Sequence, residues 1–270
     1  MSRPDARVAV RPAARGAAPT RVAARAFRTL ARKEAWGWLR SHAWWSQPVI
    51  FSAVLVGAMA LPVVLLRDTF GSEPGGLVGA AAGVFATLAA VAPAIGAVLW
   101  FQNALVGERQ TGTAAWILSK PVPRWAIPIA KLAVNGGLLL VASLLVPGAL
   151  AYGVLGLEAG GPPPVGAFAA ALAILALHTV FYAALTLAVG AATDVRGAVV
   201  AVPLAVLLMG DLIVGMAPPL ARVSPWLLGR GAGLVAQGQA FPVPSALPAT
   251  AALTAALVAF ALWRFGRQDL

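Results

Sequence analysis

The sequence predicts an all-α integral membrane protein with six transmembrane helices, preceded by an amphipathic helix in the membrane interface. Three observations predict it. Of 270 residues, 60% are hydrophobic and only 11% charged, with a mean hydropathy of +0.84, whereas a soluble domain averages about 25% charged residues. Six apolar stretches reach the roughly 20 residues with which a helix crosses about 30 Å of hydrocarbon. The basic residues are distributed unevenly about those stretches, as a fixed orientation in the bilayer requires.

Taken in order, residues 1–24 are rich in arginine and alanine without apolar periodicity, and predict a disordered cytosolic tail. They show no apolar core of a signal peptide and little of the serine typical of transit peptides. Arg25–Trp45 differs. On a helical wheel Phe27, Leu30, Ala31, Ala35, Trp38 and Leu39 share one side, while Arg25, Arg32, Lys33 and Arg40 hold most of the other. That pattern predicts a helix lying in the inner interface. Glu34 falls at the edge of the apolar side, a costly place for a carboxylate without a partner.

The spans follow near Pro48–Leu66, Leu77–Leu105, Ile127–Leu155, Val165–Ala191, Gly197–Met216 and Ala246–Phe265, so that residues 25–270 form one six-span domain. The second and third exceed the minimum length and are expected to tilt or to protrude into the cytosol. Gly75, Gly79 and Gly83 repeat at four-residue spacing, which is either a face for close helix approach or plain Gly/Ala usage. The connection Ala217–Ser245 carries five prolines and is expected to form short helices over the outer mouth.

With the N-terminus inside, 17 of the 20 Lys and Arg residues are cytosolic, and only Arg67, Arg222 and Arg230 are outside. Both termini are then cytosolic. All nine tryptophans lie before, between or at the ends of the spans, where indole suits the headgroup level. The net charge of +11 therefore reports topology, not nucleic-acid binding. Ten of the 20 basic residues crowd into residues 1–40, with no interleaved aromatics, zinc spacing or helix-turn-helix pattern.

Cysteine is absent, which excludes disulfides, thiol nucleophiles and Cys-ligated metals. No GxxxxGK[ST], HExxH or GxSxG sequence occurs, so the chain has no P-loop for ATP and no metal or catalytic motif of its own.

The most informative connection lies between spans two and three, GERQTGTAAWILSKPVPRWAIPIAK over Gly107–Lys131. Thr111 or Thr113 can cap a short helix through Ala114–Leu118, which Pro121 and Pro123 would end. Such a helix suits either docking into a partner's groove or a plain interfacial loop. Glu108-Arg109, Gly112-Thr113, Leu118-Ser119-Lys120-Pro121-Val122, Arg124 and Lys131 resemble the stretch "ER…GT…LLS.PVSR…..GK" of six-span ABC-2-type ABC transporter permeases. Lys33-Glu34 in a basic helix before span one, and the closing Arg264-Phe265-Gly266-Arg267-Gln268, fit the same family. Pro123 stands where Ser is commoner, and Ala130 where Gly usually precedes the lysine.

The resemblance implies a permease subunit of an ATP-driven exporter in a bacterial plasma membrane. It implies pairing with a second permease subunit, homo- or heterodimeric, and with cytosolic ABC ATPase subunits that bind ATP and Mg; no cofactor belongs to this chain. Residues 107–125 would be the cytosolic coupling helix and its flanks, with Glu108, Arg109, Gly112, Thr113, Trp116, Lys120, Pro121 and Arg124 facing the ATPase. Arg25–Trp45, with Phe27, Lys33, Glu34, Trp38 and Arg40, would be the interfacial elbow helix, in contact with membrane lipid.

Two ionisable side chains fall inside spans, His178 and Asp211. The short turn Ala192–Arg196 makes spans four and five antiparallel neighbours and puts both residues at one depth, roughly 20 Å from the cytosolic side. They either form a hydrogen-bonded pair or are satisfied separately. The competing expectation for the whole chain is a six-span protein without an ATPase, an ion-coupled carrier using His178 and Asp211 or a membrane scaffold. Carriers of that kind often show internal repeats, and this sequence shows no convincing one.

Overall fold

A computed structural model describes residues 19–65, 76–111, 122–158 and 162–267. It is an all-α bundle with six helices long and apolar enough to span a membrane. α1 (Pro19–Arg40) precedes the spans. Span 1 is α2 (Ala43–Leu65), and span 2 is α3 (Gly76–Phe101), continued after a break by the one-turn α4 (Val106–Gln110). Span 3 joins α5 (Ala126–Leu140) to α6 (Val146–Glu158), span 4 is α7 (Val165–Ala192), and span 5 is α8 (Arg196–Met216). α9 (Leu228–Ala236) lies before span 6, α10 (Ala246–Gly266).

The span boundaries follow the apolar stretches closely, because hydropathy and length decide them. The interfacial helix differs. It starts at Pro19, ahead of Arg25, and ends at Arg40; the bend at Ser41 and His42 hands Ala43, Trp44 and Trp45 to span 1. Within the bend the Ser41 hydroxyl donates to the Trp38 carbonyl (2.7 Å) and accepts from the Ala43 N–H (3.2 Å). The expected tail lies outside the described residues up to 18, and Pro19–Ala24 belong to α1.

Spans 2 and 4 form the centre, and spans 1, 5 and 6 pack around them. Small residues allow the close approach: Ala81, Ala82, Ala86, Ala89, Ala94 and Ala97 of span 2 are all buried. Aromatics fill the remaining space, with Phe168 tilted against Phe85 (5.9 Å) and Tyr152 (5.4 Å). Span 3 is interrupted by a π-turn at Val141–Leu145, one turn before Pro147. Proline has no N–H for the ladder, and the wider turn lets the Val146 N–H reach the Val141 carbonyl instead.

The connection after span 5 re-enters the bundle, where a cover over the outer mouth was expected. From Met216 the chain doubles back through the 3-10 turns Pro218–Val223 and Pro225–Leu227. Trp226 Nε1 then donates to the Val206 carbonyl at 2.8 Å, about 15 Å inside the end of span 5 by helix rise. From there α9 climbs antiparallel to span 2. A Cβ at Gly229 would meet Ala90 Cβ at 2.6 Å, a Cβ at Gly233 would touch Ala86 Cβ at 3.5 Å, and Gln237 borders Gly79 and Gly83. The spaced glycines of span 2 therefore receive this segment; Gly75 lies outside the described residues. Trp226 accordingly lies within the bundle, unlike the interfacial position expected of every tryptophan.

α9 stops in a Schellman arrangement. Gly238 adopts a left-handed φ of 79°, the Gly238 N–H donates to Val235 O (2.9 Å), and the Gln239 N–H donates to Leu234 O (3.0 Å).

Candidate functional site

Two constellations gather the polar side chains, one at the end of the bundle that carries α1 and one within it. The first begins with α1. Leu30, Glu34 and Trp38 are spaced four apart and form one stripe; Leu30 and Trp38 are buried against the bundle, and Phe27 stacks on Trp125 at 6.5 Å. Glu34 is thereby carried to the start of span 3. Its Oε1 accepts from Lys131 Nζ at 3.1 Å, and its Oε2 accepts from Asn135 Nδ2 at 3.0 Å. Lys131 and Asn135 are four residues apart on one face of α5, so one carboxylate bridges both.

Lys131 also pairs with Glu108 Oε1 at 3.0 Å, and Lys33 Nζ approaches the same oxygen at 3.7 Å. The break at 102–105 that ends α3 re-aims the chain so that α4 presents Glu108 here. Side-chain exposure is only 10% for Lys131, 15% for Glu34 and 13% for Glu108. Lys33 is half-exposed, but Lys131 and its two carboxylates are mostly buried, where removing one partner of a pair typically costs about 3–5 kcal/mol. The interfacial helix, the end of span 2 and the start of span 3 are thus knotted together at charge neutrality. Only the second Glu108 oxygen, buried, has no hydrogen-bond partner.

The connection between spans 2 and 3 is anchored at both flanks. Thr111 Oγ1 donates to the Gly107 carbonyl (2.8 Å), and Gln110 Nε2 donates to the Asp194 carbonyl in the turn between spans 4 and 5 (3.3 Å). Arg124 Nη1 donates to the Gly266 carbonyl at the end of span 6 (3.0 Å), where a cation suits the negative helix terminus. Arg124 therefore binds this chain's own framework. Gly112, Thr113, Trp116, Lys120 and Pro121 lie outside the described residues, as does the side chain of Arg109. Arg40, expected on the polar side of the interfacial helix, stacks its guanidinium 4.9 Å over Trp36.

The second constellation surrounds a cavity of about 420 Å³ between α9 and spans 2, 4 and 5. His178, Tyr182, Asp211, Arg230 and Gln237 line it. His178 and Asp211 thus face one space, although neither a hydrogen bond nor an ion pair joins them. His178 packs against Tyr182 at 4.9 Å, and Tyr182 meets Phe181 edge-on at 5.1 Å. His178 and Tyr182 are 3% and 0% exposed, yet His178 Nδ1 and the Tyr182 hydroxyl have no hydrogen-bond partner. Gly83, Gly229 and Gly233 are part of the wall, where they let α9 pack closely on span 2.

Sequence reasoning singled out Glu34, Glu108, Lys131, His178 and Asp211, and missed Asn135, Tyr182, Arg230 and Gln237. An amide four residues after Lys131 inside an apolar span, and a phenol four residues after His178, were the available signals. Arg230 and Gln237 gave none, because they sit in a connection whose path is set by packing.

Among characterised proteins the comparison finds no match. A family described as ABC-2 family transporter protein matches residues 28–270, a range that takes in most of α1, every span and both constellations. The Glu34–Lys131–Glu108 knot is built from the residues by which the sequence resembles six-span permeases. A match over this much of the chain, on a bundle of six apolar helices, places the protein in the ABC-2 transporter family as a multi-pass membrane permease.

Proposed function

We propose that this chain is the permease subunit of an ATP-driven exporter, working with separate cytosolic ATPase subunits and a second permease subunit in a bacterial plasma membrane. Both termini are then cytosolic, as the distribution of Lys and Arg favours. The observation that carries the reading is the position of Glu108. It ends the helical run of span 2, heads the 112–121 connection, and is locked to the interfacial helix and to span 3 through Lys33 and Lys131.

A push on that connection would move three elements as one body, because the ion pairs hold them together and the bonds from Gln110 and Arg124 hold its flanks. The chain lacks a P-loop, so hydrolysis has to come from a partner. The connection holding Gly112, Thr113, Trp116, Lys120 and Pro121, flanked by Arg109 and Arg124, is the proposed docking segment, with Trp116 as its apolar anchor. Interfacial α1 takes the role of an elbow against lipid.

The test is purification of the tagged wild-type chain in mild detergent from its native host. An ATPase with a Walker A sequence is expected to follow it, and Trp116→Ala is expected to release that ATPase while membrane abundance holds. If no ATPase follows the wild-type chain, the ATPase-independent carrier or scaffold replaces this reading.

A further inference from the structure

The cavity beside α9 is chemically specific in a way that neither the permease reading nor the family accounts for. Asp211 projects from span 5 and Arg230 from α9, and both line it. Both side chains are exposed, no ion pair joins them, and Arg230 has no ion-pair partner among the described residues. Asp211 lies five residues from the end of span 5, inside an apolar run where a carboxylate is normally retained for a partner.

Deep in the wall lie His178 and Tyr182, whose Nδ1 and hydroxyl are sealed from water and do not open into the void. Asp211 and Arg230 share one void.

An anion alone would meet Arg230 but be repelled by Asp211, and a cation alone would meet the reverse. A head bearing both charges satisfies both. The volume suits it: about 420 Å³ corresponds to roughly 14 waters at about 30 Å³ each. Asp211 opens sideways onto an apolar strip of span 5, where Leu208, Met209 and Leu212 are exposed. That strip is where acyl chains attached to such a head would lie.

We propose that this cavity binds a zwitterionic phospholipid, its ammonium on Asp211 and its phosphate on Arg230. As cargo recognition this rests on the permease reading; as binding it needs no ATPase, so the two fail separately.

The experiment measures retention of lipids by the purified full chain in detergent, using native mass spectrometry. The probes are phosphatidylethanolamine, phosphatidylglycerol and free phosphoethanolamine. Wild-type protein is expected to prefer phosphatidylethanolamine over phosphatidylglycerol by about ten-fold, the scale of one charged contact. Asp211→Asn should abolish that preference while leaving phosphatidylglycerol binding intact, and Arg230→Gln should weaken both lipids. Thr87→Leu, which narrows the cavity without touching a charge, should lower retention even if a charge variant folds poorly. Binding of free phosphoethanolamine without the lipid would keep the head chemistry and assign it to a soluble source. No preference in the wild-type chain, or a preference that survives Asp211→Asn, would overturn the proposal.

Discussion

Lys131 carries two carboxylates at once, so the residues around it are unequal. Lys131→Met leaves two mostly buried carboxylates with only the half-exposed Lys33 beside Glu108, and is expected to cost about 3 kcal/mol. Glu34→Gln keeps an acceptor for Lys131 and turns an N–H toward Asn135, whose amide can flip to accept it, and is expected to cost about 1 kcal/mol. Thermal melts in detergent measure both; equal losses would show that charge is not what binds the knot. Glu34's need for a partner was legible, because a carboxylate on an apolar stripe is unstable alone. The partner's identity was not, since Lys131 lies 97 positions away and only folding brings it near. His178 and Asp211 were legible individually as ionisable groups at equal depth, and their pairing was not, because helix rotation is invisible in spacing. As no hydrogen bond joins them, His178→Gln and Asp211→Asn are expected to lower the melting temperature additively. A double variant that loses less than the sum would show direct contact.

At the scale of elements, the re-entrant segment separates what hydropathy can and cannot decide. The spans were readable because a bilayer imposes length and apolarity on each of them. The path of Ala217–Ser245 was not, because its shape depends on glycines fitting against alanines. Gly229→Val places its side chain against Ala90 and is expected to cost about 1–3 kcal/mol, whereas Gly215→Ala, which meets nothing within 4 Å, should stay within about 0.5 kcal/mol. The chain lacks cysteine, so single cysteines report cleanly. A cysteine at Gln239 should react with an impermeant maleimide from outside the cell, and one at the fully buried Ala232 should not. Equal labelling would place α9 on the surface and contradict re-entry.

Across the whole molecule, the Lys131 knot and the flanks of the 112–121 connection lie at one end of the bundle. Reporters fused after Leu270 and inserted near Pro163 should read cytosolic and external respectively, as the 17-to-3 division of basic residues requires. Fold class and family were legible throughout, because composition and the residues from Glu108 to Lys131 carry them. The Lys131 knot was hidden, since it depends on α1 closing onto spans 2 and 3. The most direct test of the account places a photo-crosslinking amino acid at Trp116 and, as a control, at Pro163, in native membranes. The account predicts a covalent adduct with a Walker A ATPase from position 116 and none from position 163. An ATPase adduct from neither position, or from 163 alone, would contradict it.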